Sequence, residues 1–350
     1  MSAEDDTVLL TTEGPLGRIT LNRPRALNSL TRPMVLRIAA ALTAWEHDPA
    51  IFQVLLDGAG ERGLCAGGDI RAIHDDVRAG GSASEAFWRD EYRLNARIAG
   101  YPKPYVALMD GIVMGGGVGV SAHGSVRIVT ERSRVAMPET GIGFVPDVGG
   151  THLLGRAPGE LGTHLALTGA AVGAADALLC GLADHFVPAD RLDALAAALA
   201  TAPVADVLPR YTAPAPEGEL AGRREWIDRC YAADTVEAIV ERLSGHGDPA
   251  AKEAAETILA KSPTALKVTL AAVRRARVLG SLERVLAQEF RVSCAMLTAP
   301  DLVEGIRAQV VDKDRRPRWS PAALELVADA EVERYFAPLA ADRELRLGPG

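Results

Sequence analysis

Between Met137 and Gly150 the chain reads MPETGIGFVPDVGG. Gly141, Gly143, Gly149, Gly150, Pro138 and Pro146 deny this stretch to any regular helix or strand. A chain otherwise rich in Ala, Leu and Val therefore has to fold around a constrained loop. That loop carries two carboxylates, Glu139 and Asp147. The plainest use of Asp147 is as a helix N-cap, because VGGTHLL opens a helix just after it. The plainest use of Glu139 is as an exposed turn acid, but its neighbours Met137, Pro138 and Ile142 point to a drier place.

The flanking sequence supplies the frame. TVLLTTEGPLGRITLNRP predicts a hairpin turning at Gly14-Pro15 and stopped by Pro24. TRPMVLRIAAALTAWEHDP predicts a helix with Thr31 as N-cap and Pro33 in its first turn. IFQVLLDGAG, YVALMDG and VRIVTE are short apolar runs of the kind that make buried strands, with helical stretches between them. Repeated strand, strand, helix units predict an α/β fold over residues 1–190. From about 191 to 350 the period becomes helical, in LDALAAALATA, TVEAIVERL, AAKEAAETILAK and SLERVLAQEFRVSCAML. TAPAPEGE connects, and DKDRRPRWSP predicts an extended segment that docks.

Composition narrows the function. With 48% hydrophobic and 24% charged residues in 350, the chain is globular, and a net charge of −8 argues against a nucleic-acid surface. Cys65, Cys180, Cys230 and Cys294 are scattered, with no CxxC pair and no histidines at metal spacing. No metal site and no disulfide framework are expected, and a reducing, cytoplasmic setting fits. MSAEDDTVLL resembles neither a secretory signal nor an Arg-rich transit peptide. No apolar run reaches the roughly 18 residues of a membrane span.

The glycine segment MGGGVGVSAHG follows a strand and opens a helix, which leaves backbone N–H groups free to meet negative charge. Gly117-x-Gly119-x-x-Ala122 formally fits a dinucleotide fingerprint, although it lies far from the first βα unit. Gly119-Val-Ser121-Ala-His123 resembles a nucleophile elbow whose closing glycine is replaced by His123. The third reading is an oxyanion hole, because a second glycine turn, CAGGDI, follows another strand.

LNRPRALNSL, CAGGDI, PYVALMDGIVMGGGVG and PETGIGFVPDVGG, in that order, resemble the crotonase (enoyl-CoA hydratase/isomerase) superfamily. EYRLN, SAHGSVRIVTE, LALTG, KSPTALKVTL and DKDRRPRW bring the resemblance closer to its 3-hydroxyisobutyryl-CoA hydrolase branch. The resemblance runs from about residue 8 to residue 330 and implies a ClpP-like spiral of repeated ββα units with a C-terminal helical region. It implies an acyl-CoA substrate, no cofactor beyond that CoA, and a homo-oligomer, trimer or hexamer. It places the oxyanion donors on Gly68 and Gly116.

Hydratases of the superfamily use two glutamates. Here the first of those positions is Gly119, the second is Glu139, and Asp147 is an added acid. That exchange implies thioester hydrolysis of a short β-hydroxyacyl-CoA, as in valine catabolism. Glu139 would attack the carbonyl or activate water, and Asp147 would handle the proton. The resemblance further implies that Glu91 meets the acyl end. It puts Arg25, with Ala26, at the CoA phosphates, and Asp69 and Ile70 at the adenine and pantetheine pocket. His123, His152 and His164 read as packing or surface residues. The alternatives are a hydratase or isomerase using Glu139 alone and a non-catalytic CoA-binding protein.

Overall fold

The computed structural model describes residues 7–348, and the leading MSAEDD of the targeting reading lies outside them. Contacts divide the chain into two compact units drawn from separated stretches. The first takes the chain up to Gly68, then Asp90–Ala136 and Val172–Gly218; the second takes Asp69–Arg89, Met137–Ala171 and the chain from Glu219 on.

The first unit holds the strands. β1 (Val8–Glu13) and β2 (Leu16–Leu21) pair antiparallel with Leu10 opposite Ile19, as the Gly14-Pro15 turn predicts. β3 (Gln53–Gly58), β4 (Tyr105–Met109), β6 (Val126–Val129) and β8 (His185–Phe186) then extend the sheet in parallel, in the order β1-β2-β3-β4-β6-β8. A second layer pairs β5 (Ile112–Met114) with β7 (Arg134–Ala136), again in parallel. Cys65 joins that layer by a parallel bridge to Val113. From β3 to β7 each turn of chain thus lays one rung in the large sheet and one in the small, which is the ββα spiral that the resemblance implies.

Leu16, Leu55, Val106 and Ile128 from the large sheet pack with Leu192, Leu195 and Leu199 of the helix Leu192–Leu199. Burying each such side chain stabilises the fold by about 1.5–3 kcal/mol. Gln53 is buried there, and satisfied: Nε2 donates to the Leu199 and Ala202 carbonyls, and Oε1 accepts from the Val204 N–H. Helix α1 (Arg32–His47) begins at Thr31 with Pro33 in its first turn, but the Thr31 side chain makes no capping hydrogen bond.

The second unit is helical, and its helices start where their caps stand. Thr235, Asp248, Ser262 and Ser281 each accept a backbone N–H one turn into Val236–Gly245, Pro249–Leu259, Pro263–Leu279 and Leu282–Met296. DKDRRPRWSP is docked, with Trp319 Nε1 donating to the Ala260 carbonyl and the Ser320 N–H to Asp301 Oδ1, but it is irregular and not extended throughout, since Lys313 and Arg315 sit at φ +59° and +56°. Among the described residues no strand follows β8, and no helix is long and apolar enough to cross a membrane.

Candidate active site

The register of the small layer in the first unit brings the two glycine turns together. Cys65 pairs with Val113, so Gly68 and Gly116, each three residues further on, leave neighbouring rungs side by side. A methyl built on Gly116 would lie 3.3 Å from the Gly68 N and 2.6 Å from Glu91 Oε1. One built on Gly67, where φ is +111°, would lie 3.7 Å from the Gly116 N. The Gly116 N–H is the first of the short helix Gly116–Ser121, with no preceding turn to accept it. The Leu30 N–H donates to the Gly67 carbonyl, which anchors the other turn without using the Gly68 N–H. Two backbone donors therefore border one small space, the arrangement that stabilises charge on a carbonyl oxygen.

Glu91 reaches that space from the helix Ala83–Ala99 and is only 2% exposed. The wall beneath is Cys65, whose Sγ accepts the Gly67 N–H and donates to the Asn28 carbonyl. Burial pushes the Cys65 thiol up to about 12, with the Glu91 charge acting in the same direction, so this cysteine is a structural thiol rather than a nucleophile.

The competing readings of MGGGVGVSAHG do not survive. α2 (Ile70–Arg78) and α3 (Ala83–Ala99) precede α4 (Gly116–Ser121), which is a single short helix with every residue buried. The Ser121 hydroxyl is turned back onto the Gly117 carbonyl at 2.6 Å. A side chain at Gly117 would strike the Cys65 carbonyl at 2.4 Å. Packing against the neighbouring rung, not a pyrophosphate, accounts for that glycine.

In the second unit, the opening loop buries both acids, Glu139 at 6% and Asp147 at 5% exposure. Glu139 starts a 3-10 turn (Glu139–Ile142) closed by Gly143 at φ +71°. Asp147 precedes Val148 and Gly149, both in the left-handed region at φ +52° and +80°. α5 (Gly150–Gly155) follows, with Gly149 as its N-cap. Asp147 is thus not the cap. Glu289, from the helix Leu282–Met296, does that work: its carboxyl accepts the Gly149 N–H at 2.6 Å, the Thr151 N–H at 2.9 Å and the Thr151 hydroxyl at 2.5 Å. Burial pushes the Glu289 carboxyl up to about 8, and the charge of Asp147 pushes the same way against those donors.

Sequence reasoning missed Glu289 because a lone helix acid ordinarily faces water. Its signal was position: it falls on the stripe of Val285, Leu286, Val292 and Ser293, all buried.

The remaining expected residues have plain local settings. Arg25 and Ala26 are exposed on the 3-10 turn Pro24–Ala26. Asn28 holds that turn, accepting the Arg23 N–H and donating to the Ala59 carbonyl. Asp69 caps α2 by accepting the Ala72 N–H, and Ile70 is the first residue of that helix. His164 is buried against the Tyr231 hydroxyl at 2.8 Å, and burial lowers it to about 4, as a packing histidine.

Residues 16–336 match the family described as enoyl-CoA hydratase/isomerase. The chain belongs to that family. Among curated relatives, the Rattus norvegicus protein named "3-hydroxyisobutyryl-CoA hydrolase, mitochondrial" is 43% identical over 97% of this chain and 91% of its own. The Homo sapiens protein of the same name is 41% identical over 95% of this chain and 89% of its own. Among solved structures, one described as a carnitinyl-CoA dehydratase from Mycobacterium thermoresistibile is 55% identical with a TM-score of 0.95, covering 99% of this chain and 100% of that one. Another, described as an enoyl-CoA hydratase from Rhodobacter sphaeroides, is 45% identical with a TM-score of 0.92, covering 97% and 100%. The α/β fold with C-terminal helices is the family's fold, and the names of these relatives divide between cleaving a thioester and moving water across a double bond.

Proposed function

We propose that the chain hydrolyses 3-hydroxyisobutyryl-CoA, or a close short β-hydroxyacyl-CoA, to the free hydroxy acid and CoA, as a step of valine breakdown. The observation that carries this over hydration is the make-up of α4. Adding water across an enoyl double bond uses a pair of acid–base groups, and the first acid of the hydratase pattern is replaced by Gly119 in a helix with no carboxylate. The acid the chain has instead, Asp147, is buried, and the N–H groups at the start of the following helix go to Glu289.

In this reading the thioester oxygen accepts hydrogen bonds from the Gly68 and Gly116 N–H groups. Glu139 attacks the carbonyl carbon, or takes a proton from a water that attacks it. Collapse of the tetrahedral intermediate breaks the carbon–sulfur bond and releases the thiolate, which takes up a proton; on the first route this leaves a mixed anhydride that water hydrolyses to the hydroxy acid and free Glu139, and on the second it gives the acid directly. Asp147 holds or moves the proton involved, and Glu91 accepts a hydrogen bond from the substrate's 3-hydroxyl. Arg25 and Ala26 meet the CoA phosphates, and Asp69 and Ile70 the adenine and pantetheine. The reaction so written uses no cofactor. A cytoplasmic location and a trimer or hexamer belong to the same proposal, for cell fractionation and analytical ultracentrifugation to decide.

The names of the two solved structures favour hydration or dehydration as a second reading. One assay separates them: 3-hydroxyisobutyryl-CoA and crotonyl-CoA are supplied in turn, and free thiol is followed against enoyl absorbance. Thiol release from the first supports hydrolysis. Loss of enoyl absorbance with no thiol release hands the site to the second reading. Glu139→Gln and Asp147→Asn should each lower thiol release by about 10²-fold or more while CoA binding stays within about threefold.

A further inference from the structure

We infer that Glu289 is a positioning residue for Asp147, holding the strained turn that follows it. The inference rests on the hydrolase reading of Asp147 and extends it to a residue far along the chain.

Val148 is β-branched and sits at φ +52°, a conformation such residues avoid, and Gly149 continues it at φ +80°. A strained turn persists only where its surroundings over-determine it. One carboxyl, that of Glu289, holds this one from a second helix. Glu289 takes the N–H groups on both sides of Gly150 and the Thr151 hydroxyl besides, so that the start of α5 is tied to a second helix at three points. The Gly150 N–H in turn donates to the Asp147 carbonyl at 2.6 Å. A chain of contacts therefore runs from Glu289 through Gly149–Thr151 to the backbone of Asp147.

An ordinary capping role needs no buried acid. Ser262 and Thr235 cap their own helices from the cap position, where the backbone is not left-handed; Gly149, at φ +80°, has no side chain with which to do so. The carboxyl that takes these N–H groups comes from another helix and not from Asp147, two residues before the cap. That placement also sets two acids close enough for the charge of Asp147 to bear on Glu289. Among the groups that face the Glu289 carboxyl are Gly149 and Thr151 at the start of α5 and Asp147 from the loop.

The test is a double-substitution cycle on the full-length enzyme, read as thiol release from 3-hydroxyisobutyryl-CoA. Glu289→Gln should lower kcat by about tenfold or more, with KM within about threefold, because a misplaced Asp147 fails in the transition state and not in CoA binding. Added to Asp147→Asn, the same change should lower kcat by less than about twofold, since a residue acting through Asp147 has nothing left to position. Thr151→Val removes one of the three ties at nearly constant shape. It should show a smaller loss with the same dependence on Asp147, and it serves if Glu289→Gln does not fold.

Unchanged kcat in Glu289→Gln or, where that protein does not fold, in Thr151→Val overturns the inference. So do losses that multiply through in the double variant, which mark Glu289 as plain scaffolding. Full activity in Asp147→Asn is a different failure: it removes Asp147 from the reaction and the inference with it. No thiol release from the unsubstituted protein overturns the hydrolase reading itself.

Discussion

Gly116 has room for a hydrogen and little else. Its neighbours are Glu91 Oε1, the Gly68 N and Leu30 Cδ1, all within 3.3 Å of where a Cβ would stand. Gly116→Ala should therefore fill the space between the two donors and push the Glu91 carboxylate aside. Thiol release should fall by about 10²–10³, the usual cost of losing an oxyanion donor. Melting followed by circular dichroism should move little, since alanine suits a helix start better than glycine does. Full turnover in Gly116→Ala would remove this pair from the oxyanion assignment. At single positions the sequence was legible where chemistry needs an unusual residue. Glycines that open helices and acids among breakers stand out from their surroundings. Glu289 did not, because its three hydrogen bonds come from residues some 140 positions earlier and nothing local to it records them.

The loop from Met137 to Gly150 is held from outside as much as by its own breakers. A methyl at Gly143 would stand 2.3 Å from the Asp301 carbonyl oxygen, and φ there is +71°. Asp301 is itself fixed, its carboxylate accepting the Ser262 hydroxyl at 2.6 Å and the Ser320 N–H at 2.7 Å. Gly143→Ala should then destabilise the fold by about 1–3 kcal/mol from the backbone alone, with the clash added, measurable by urea titration. A midpoint equal to that of the parent would mean the turn can relax away from Asp301. Most long elements were visible from period and caps: the hairpin, β3, β4, β6, α1 and the helices Leu192–Leu199, Val236–Gly245, Pro249–Leu259 and Leu282–Met296 lie where apolar spacing puts them. β5 and β7 were not visible. Each has three residues, too few to show a period, and each is a strand only because another rung lies beside it. Yet it is this layer that aligns Gly68 with Gly116, so the motif was legible before the geometry that gives it meaning.

Over the whole molecule, Glu289 and His164 are two buried groups through which stability should answer to pH, with His152, also lowered by burial, acting in the direction of His164. Burial raises Glu289 from 4.5 to about 8, with the charge of Asp147 adding to it. Its folded form binds a proton more tightly than the unfolded chain, so its contribution is complete below 4.5 and is lost as pH rises through about 8. Burial lowers His164 from 6.5 to about 4, so its contribution is complete above 6.5 and is lost as pH falls through about 4. Between 4.5 and 6.5 the two slopes oppose each other, and between 6.5 and about 8 only the Glu289 slope remains of the pair. Urea midpoints of the parent should hold a plateau through the first window and fall through the second. Glu289→Gln has no carboxyl to ionise. Its midpoints should be flat from about 6.5 to 8 and should drop on acidification below 6.5, where His164 then acts unopposed. Parallel curves for the two proteins across the upper window would show that Glu289 ionises as easily in the fold as in water, and that burial in the second unit does not hold its proton.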